Sequence, residues 1–208
     1  MNRTLRYLMF ADIFYFTGFG LVAPIIAIFI KDDLAGGTIF AAGVATAIFI
    51  LVKSAVQLPF SRYVDRHDNK LLWLKIGYGM IVLNPLIYIF ADHVNYIYLA
   101  EAIHGIGSGI AFPAWLGLWS THLDKGHESF EWSLYSTVIG VAAAVTAGLG
   151  AAMAEFIGFN WTFGLVGLSA FGGFLTLFGL KKDIDKKGKS NSKQYHIKRK
   201  ILHNHRNH

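Results

Sequence analysis

The chain has 208 residues, of which 54% are hydrophobic and 15% charged, and it has no cysteine. Soluble domains usually carry about 25% charged residues, so the composition excludes an ordinary water-soluble domain and, outside one end, intrinsic disorder. The missing cysteine excludes a disulfide framework, a cysteine nucleophile and a thiolate metal site.

A helix needs about 20 apolar residues to cross a bilayer, and six segments qualify in chain order. They are residues 5–30, 38–63, 71–90, 96–120, 131–157 and 161–180. They read as helices rather than barrel strands because the runs are long and do not alternate. The first is too long for a signal-peptide core and contains Asp12, so no cleavable signal is expected. Its Asp12, Tyr15, Phe16 and Phe19 share a face. In the second, Thr46, Phe49, Lys53 and Gln57 form a similar stripe. In the fourth, Glu101, His104, Ser108, Phe112, Trp115 and Trp119 fall at spacings of 3, 4, 4, 3 and 4, again one face. The fifth carries Gly140, Ala144 and Gly148, a small-residue seam of the kind that lets helices approach closely, and Gly105 with Gly109 is another. The sixth has only Thr162, Ser169 and Thr176 as polar residues among several glycines, and reads as a peripheral packing helix in which Ser169 matters little. Pro24, Pro85 and Pro113 can kink three of the helices.

The 19 Lys and Arg are distributed unevenly. Arg3, Arg6, Arg62, Arg66, Lys70, Lys125 and the ten after Leu180 fall on one side, and Lys31 alone on the other. The positive-inside rule then places both termini in the cytoplasm. The net charge of +6 comes mainly from the tail 181–208, which is too polar for a core and suits a disordered segment or one lying near anionic headgroups. Nucleic acid is not expected as a partner. His203, His205 and His208 read as solvated, and no metal or cofactor is expected.

Four ionisable residues lie inside spans: Asp12, Lys53, Glu101 and His104. A charge at mid-membrane costs about 2.5–3.5 kcal/mol on insertion scales, so each needs a partner, a cavity or a role. A structural pair between Lys53 and an acid is the plain alternative. The three mixed polar and aromatic stripes suit an internal cavity, with Asp12, Lys53, Gln57, Glu101, His104, Ser108, Phe112 and Trp115 as candidate substrate or coupling residues. Glu101 ranks first as proton carrier, Asp12 second, and His104 as modulator. Carboxylates and aromatics together favour cationic or amphipathic solutes slightly, and Lys53 pulls the other way. Trp119, Trp132, Trp73 and Tyr63 are expected as an interfacial belt.

The connection after the second span reads Ser61-Arg-Tyr-Val-Asp65-Arg66-His-Asp-Asn-Lys70. It resembles the signature loop G-x-x-x-D-R-x-G-R-[RK] of the major facilitator superfamily, and Asp65, Arg66 and Lys70 match. Gly105-Ile-Gly107-Ser-Gly109 is similar to the family's glycine-rich fourth helix, although Glu101 stands where arginine is usual. The run from Gly158 to Phe163 looks like the family's G-W-x-x-F segment, and the proline of the antiporter form is missing. The resemblance covers residues 1–180, one six-helix half of that fold, with Asp65, Arg66 and Lys70 implied as gating residues.

The expectation is therefore an all-α membrane protein of six transmembrane helices, one half of the major facilitator fold, followed by the tail 181–208. It implies a secondary transporter of a small organic solute, not an enzyme, in the plasma (inner) membrane. A parallel homodimer would complete the cavity and alternate its access, with proton coupling as an option. A non-transporting membrane scaffold and half of a heteromeric split transporter are the alternatives.

Overall fold

The computed structural model describes residues 1–180; the expected basic tail 181–208, with its three histidines, lies outside the described residues. The chain begins with α1, Arg3–Val22, whose first turn is capped by the Asn2 side chain accepting from the Thr4 N–H at 3.2 Å. α2, Ile26–Asp33, follows after a break. The expected span over 5–30 is thus two helices. Pro24 has no N–H to offer the Gly20 carbonyl, and its ring crowds that carbonyl, so the ladder breaks there. α3, Ile39–Arg66, starts at Thr38, whose hydroxyl accepts from Ala41 N–H at 2.9 Å. α4 is Lys70–Ile89, α5 Val94–His122, α6 Glu128–Ile157 and α7 Phe159–Leu180.

Five of these helices, α1, α3, α4, α6 and α7, are long and apolar enough to cross a membrane, which makes this a multi-pass membrane protein. α5, at 29 residues, has the length but is not among the five, with Glu101 and His104 within it. Burial explains the difference. Gly105, Gly107, Ser108, Gly109, Ala111, Pro113, Ala114, Trp115 and Trp119 of α5 are all buried, so protein rather than lipid surrounds much of it. Its glycines make this possible. A Cβ on Gly105 or Gly109 would meet α3 backbone atoms at 2.9 Å, and one on Gly107 would meet the Gly77 carbonyl of α4 at 2.8 Å. The three glycines therefore let α5 lie against two neighbours at once.

The apolar core is split in two. One cluster, around Leu5, Leu8, Val64, Leu74, Trp119 and Leu177, fills the end of the bundle that holds Met1. The other, around Phe29, Ile30, Ala42, Tyr88, Ile97 and Phe163, fills the far end. Trp119 is fully buried and stacked on Trp115 at 5.1 Å, so it does not belong to an interfacial belt. The stripe placing it beside Trp115 on α5 also turned it inward. α7 packs inward more than its composition suggests: Phe163, Leu177 and Leu180 are fully buried, and the Ser169 hydroxyl donates to the Phe14 carbonyl at 2.7 Å. Ser169 thus ties α7 to α1.

α3 and α6 are the least enclosed of the five apolar spans. Leu51 and Leu58 on α3 are each 68% exposed, and Val141 and Val145 on α6 nearly as open. An added Cβ at Gly43, Gly140 or Gly148 would meet nothing within 4 Å. The seam of Gly140, Ala144 and Gly148 is therefore not used among the described residues.

Candidate functional site

Between the two apolar clusters lies a cavity of two lobes. The first, about 260 Å3, is built by α1, α3, α4, α5 and α6 and is lined by Asp12, Lys53, Ser108, Phe112 and Trp115 among others. The second, about 360 Å3, is reached past Tyr15, Phe19 and Phe49 and holds Glu101 and His104. Tyr15, Phe19, Phe49 and Ile81 line both lobes and separate them. Seven of the eight residues singled out by the stripes come together here. Gln57 does not, for it lines neither lobe although it sits one turn from Lys53 on α3.

Each carboxylate is held by tyrosine. Asp12 is buried, and its two oxygens accept from Tyr78 and from Tyr135, the latter at 2.8 Å. Glu101 accepts from the Tyr88 hydroxyl through one oxygen, and its other oxygen lies 3.5 Å from His104 Nδ1. His104 Nε2 lies 3.2 Å from the Tyr15 hydroxyl. A polar chain thus runs Tyr88, Glu101, His104, Tyr15, from the far lobe to the junction of the two. Sequence reasoning missed Tyr78, Tyr88 and Tyr135. The signal was present on α4, where Leu74, Tyr78, Ile81, Pro85 and Tyr88 recur at spacings of 4, 3, 4 and 3 and are all buried. Two hydroxyls on the buried face of a span require acceptors, and carboxylates are the strongest available.

Lys53 has no carboxylate within ion-pair distance among the described residues. Its Nζ lies 5.3 Å from the centre of the Phe112 ring and 5.8 Å from that of Phe49. The structural pair with an acid considered from sequence is therefore absent from the described residues. Cation–π contact contributes about 0.5–1 kcal/mol at exposed sites and more when dry.

The three signature-loop residues stand apart from the cavity. Asp65 and Arg66 are exposed at the Met1 end, while Lys70 opens α4 and lays its stem against Gly117 of α5. The start of α6 is already acidic, with Glu128 and Glu131 in its first turn. Glu131 is buried and accepts from the Asp124 N–H at 3.0 Å. The Met1 amine lies 3.0 Å from Asp124 and 3.5 Å from Glu131. Its hydrogen bond holds the Asp124 carboxyl below its ordinary value and raises its own. An Asp65 docking at this helix start would meet two acids, so the dipole alone would not draw it there.

Comparison with known proteins matches this architecture. A family model described as Major Facilitator Superfamily matches residues 8–206. The quinolone resistance protein NorA of Staphylococcus aureus, as found in strains Mu50 and N315, is 25% identical over 156 residues. That alignment takes in 74% of this chain and 39% of the relative, so the chain spans about two-fifths of the length of those relatives. Among solved structures, the POT family transporter PepTSo is similar with a TM-score of 0.70 at 14% identity, covering 88% of this chain and 38% of that one. An auto-inhibited POT family peptide transporter gives the same score and identity over 87% and 37%. At that identity the likeness concerns the fold.

Proposed function

The chain belongs to the Major Facilitator Superfamily, and from that premise we propose that it is a secondary transporter of a small organic solute, working as a parallel homodimer by alternating access. The observation that carries this reading is the two-lobed cavity, polar in the middle of an apolar bundle, beside a face left open by α3 and α6. Polar and ionisable groups inside spans are costly, and a pathway for solute or protons is their usual reason. A second half set against the open face would enclose the cavity. A second copy supplies one with the same insertion direction and a two-fold axis along the membrane normal. The concentration of Arg and Lys at the Met1 end supports a cytoplasmic placement of that end in a plasma membrane. Asp12 and Glu101 are the proposed proton carriers, with His104 between Glu101 and Tyr15.

The test joins mass and flux. Purified chain in detergent should have the protein mass of two copies, and in liposomes it should accumulate solute against its gradient without another polypeptide. Gly140→Leu and Gly148→Leu should shift the mass toward one copy while leaving the helical content unchanged, because a Cβ at either glycine meets nothing within 4 Å among the described residues. Asp65 and Ser133 are both exposed at the Met1 end. Since the chain has no cysteine, a cysteine pair at these positions has no background. Crosslinks between copies are expected when that end is closed; crosslinks confined to single chains would refute the arrangement.

A further inference from the structure

The first lobe sets an ammonium and an indole beside a single carboxylate among the described residues. Lys53 brings an ammonium with three N–H donors and no acceptor, and Trp115 brings an indole N–H that can only donate. Lys53 has no ion pair among the described residues, only the rings of Phe49 and Phe112. Trp115 Nε1 and Ser108 Oγ are buried and complete no hydrogen bond, although the first faces Asp12 and the second Tyr15. All three line the same lobe. Asp12 is the one carboxylate lining it among the described residues, and each of its oxygens accepts from one tyrosine, Tyr78 or Tyr135. An anionic head would therefore meet in Lys53 an ammonium that no carboxylate of the described residues pairs, whereas a cationic one would be repelled by it.

The rings describe the rest of the solute. Phe112 and Trp115 stack at 6.3 Å with their planes 16° apart, and Phe16, Phe19 and Phe49 complete an aromatic wall. Resting on the transporter reading for its setting, we propose that this lobe binds an aromatic carboxylate. Lys53 donates to the carboxylate, and the phenyl rings beside it hold the aromatic body. Buried charges are stable when paired and hydrogen-bonded, and here the solute supplies the missing partner. This reverses the slight preference for cations that the carboxylates suggest in the sequence, because Lys53 stands unpaired in the lobe while Asp12 is held by Tyr78 and Tyr135.

The test is calorimetric binding of three isosteres to the purified full chain: 1-naphthoate, 1-naphthalenemethanol and 1-naphthylmethylammonium. Naphthoate should bind about tenfold tighter than the alcohol, as expected for one charge-assisted hydrogen bond, and the ammonium weakest. Lys53→Gln should remove the preference and Lys53→Arg should keep it. Equal binding of the three, or tightest binding of the ammonium, would overturn the proposal. So would Lys53→Gln losing the dimer while keeping the preference, which would assign Lys53 to a carboxylate of the covering half. The isostere series on the unmodified chain decides the matter even where a variant does not fold. Uptake into liposomes is scored separately. Preference without accumulation upholds this site and refutes transport, and accumulation of a cation without the preference does the reverse.

Discussion

Glu101→Gln is expected to reduce proton-driven accumulation from about tenfold per pH unit to about one, while solute exchange continues. The figure follows from coupling one proton to one solute: a pH unit is about 1.4 kcal/mol, a factor of ten in the ratio across the membrane. Gln keeps the shape of Glu101 and can still accept from Tyr88, but it cannot carry a proton between the two access states. Geometry favours Glu101 over Asp12 as the carrier. Asp12 is 5% exposed and closed off by two tyrosine hydroxyls, whereas Glu101 lines the second lobe with its second oxygen against His104. His104 then links Glu101 to Tyr15 at the junction of the lobes. Asp12→Asn should reduce accumulation as well and also lower stability, because an amide gives the two tyrosines a single acceptor oxygen. Measuring counterflow and gradient-driven uptake on the same liposomes separates loss of coupling from loss of binding. If both variants accumulate solute like the unmodified chain, neither carboxylate couples, and the charges are structural.

Gly107→Val should markedly destabilise the bundle, and Gly43→Val should cost it nothing. At Gly107 a Cβ alone would lie 2.8 Å from the Gly77 carbonyl and 2.9 Å from Met80 Cβ, and valine adds two methyls. The obstruction is reciprocal, since a Cβ on Gly77 would lie 2.5 Å from the Gly107 carbonyl. Backbone cannot give way as a flexible side chain can, so α4 and α5 must separate. Overpacking a tight core costs about 1–3 kcal/mol, sometimes more, against a total stability of about 5–15 kcal/mol. Because α5 carries the Glu101 to Trp115 stripe, the separation also widens the cavity. Thermal unfolding in detergent, read by far-ultraviolet dichroism, should show a lowered midpoint for Gly107→Val and an unchanged one for Gly43→Val, whose site is open. Equal midpoints would show that α4 and α5 do not approach as closely as described.

Much of the fold was legible because membrane spans announce themselves by length and polarity. Continuous apolar runs gave five segments within a few residues of single helices and a sixth that breaks at Pro24 into α1 and α2, and the stripe on α5 put five of its six members in the cavity wall. The failures have physical causes. Periodicity shows which residues share a face but not what that face meets, so Gln57 was grouped with Lys53 although it lies beyond the cavity. Trp119 was assigned to the interface by residue type, although its place on the stripe already turned it inward. Tyr78 and Tyr88 were not singled out, because the acceptors that require them, Asp12 and Glu101, lie on other helices, where sequence cannot pair them. The packing roles of the α5 glycines were half visible. Their spacing indicated close approach, but the division of labour, Gly105 and Gly109 toward α3 and Gly107 toward α4, needed coordinates.

The open face of α3 and α6 sets the terms of assembly. Phe40 is 81% exposed and Phe156 82%, so fatty acyl chains cover this surface about as well as another protein would. Its Thr46 hydroxyl is satisfied within its own helix, by the Ala42 carbonyl at 3.2 Å. A solitary chain is therefore a tolerable tenant of the bilayer, and lipid competes with association. Occupancy of the paired state then obeys mass action in two dimensions, diluted by lipid and raised by crowding of the membrane. For pairing between copies, transport per cell at low gene dosage should climb with the square of surface density and become linear once pairing saturates. A cell could thus regulate flux by abundance alone, with a sharper response than a transporter whose halves share one polypeptide.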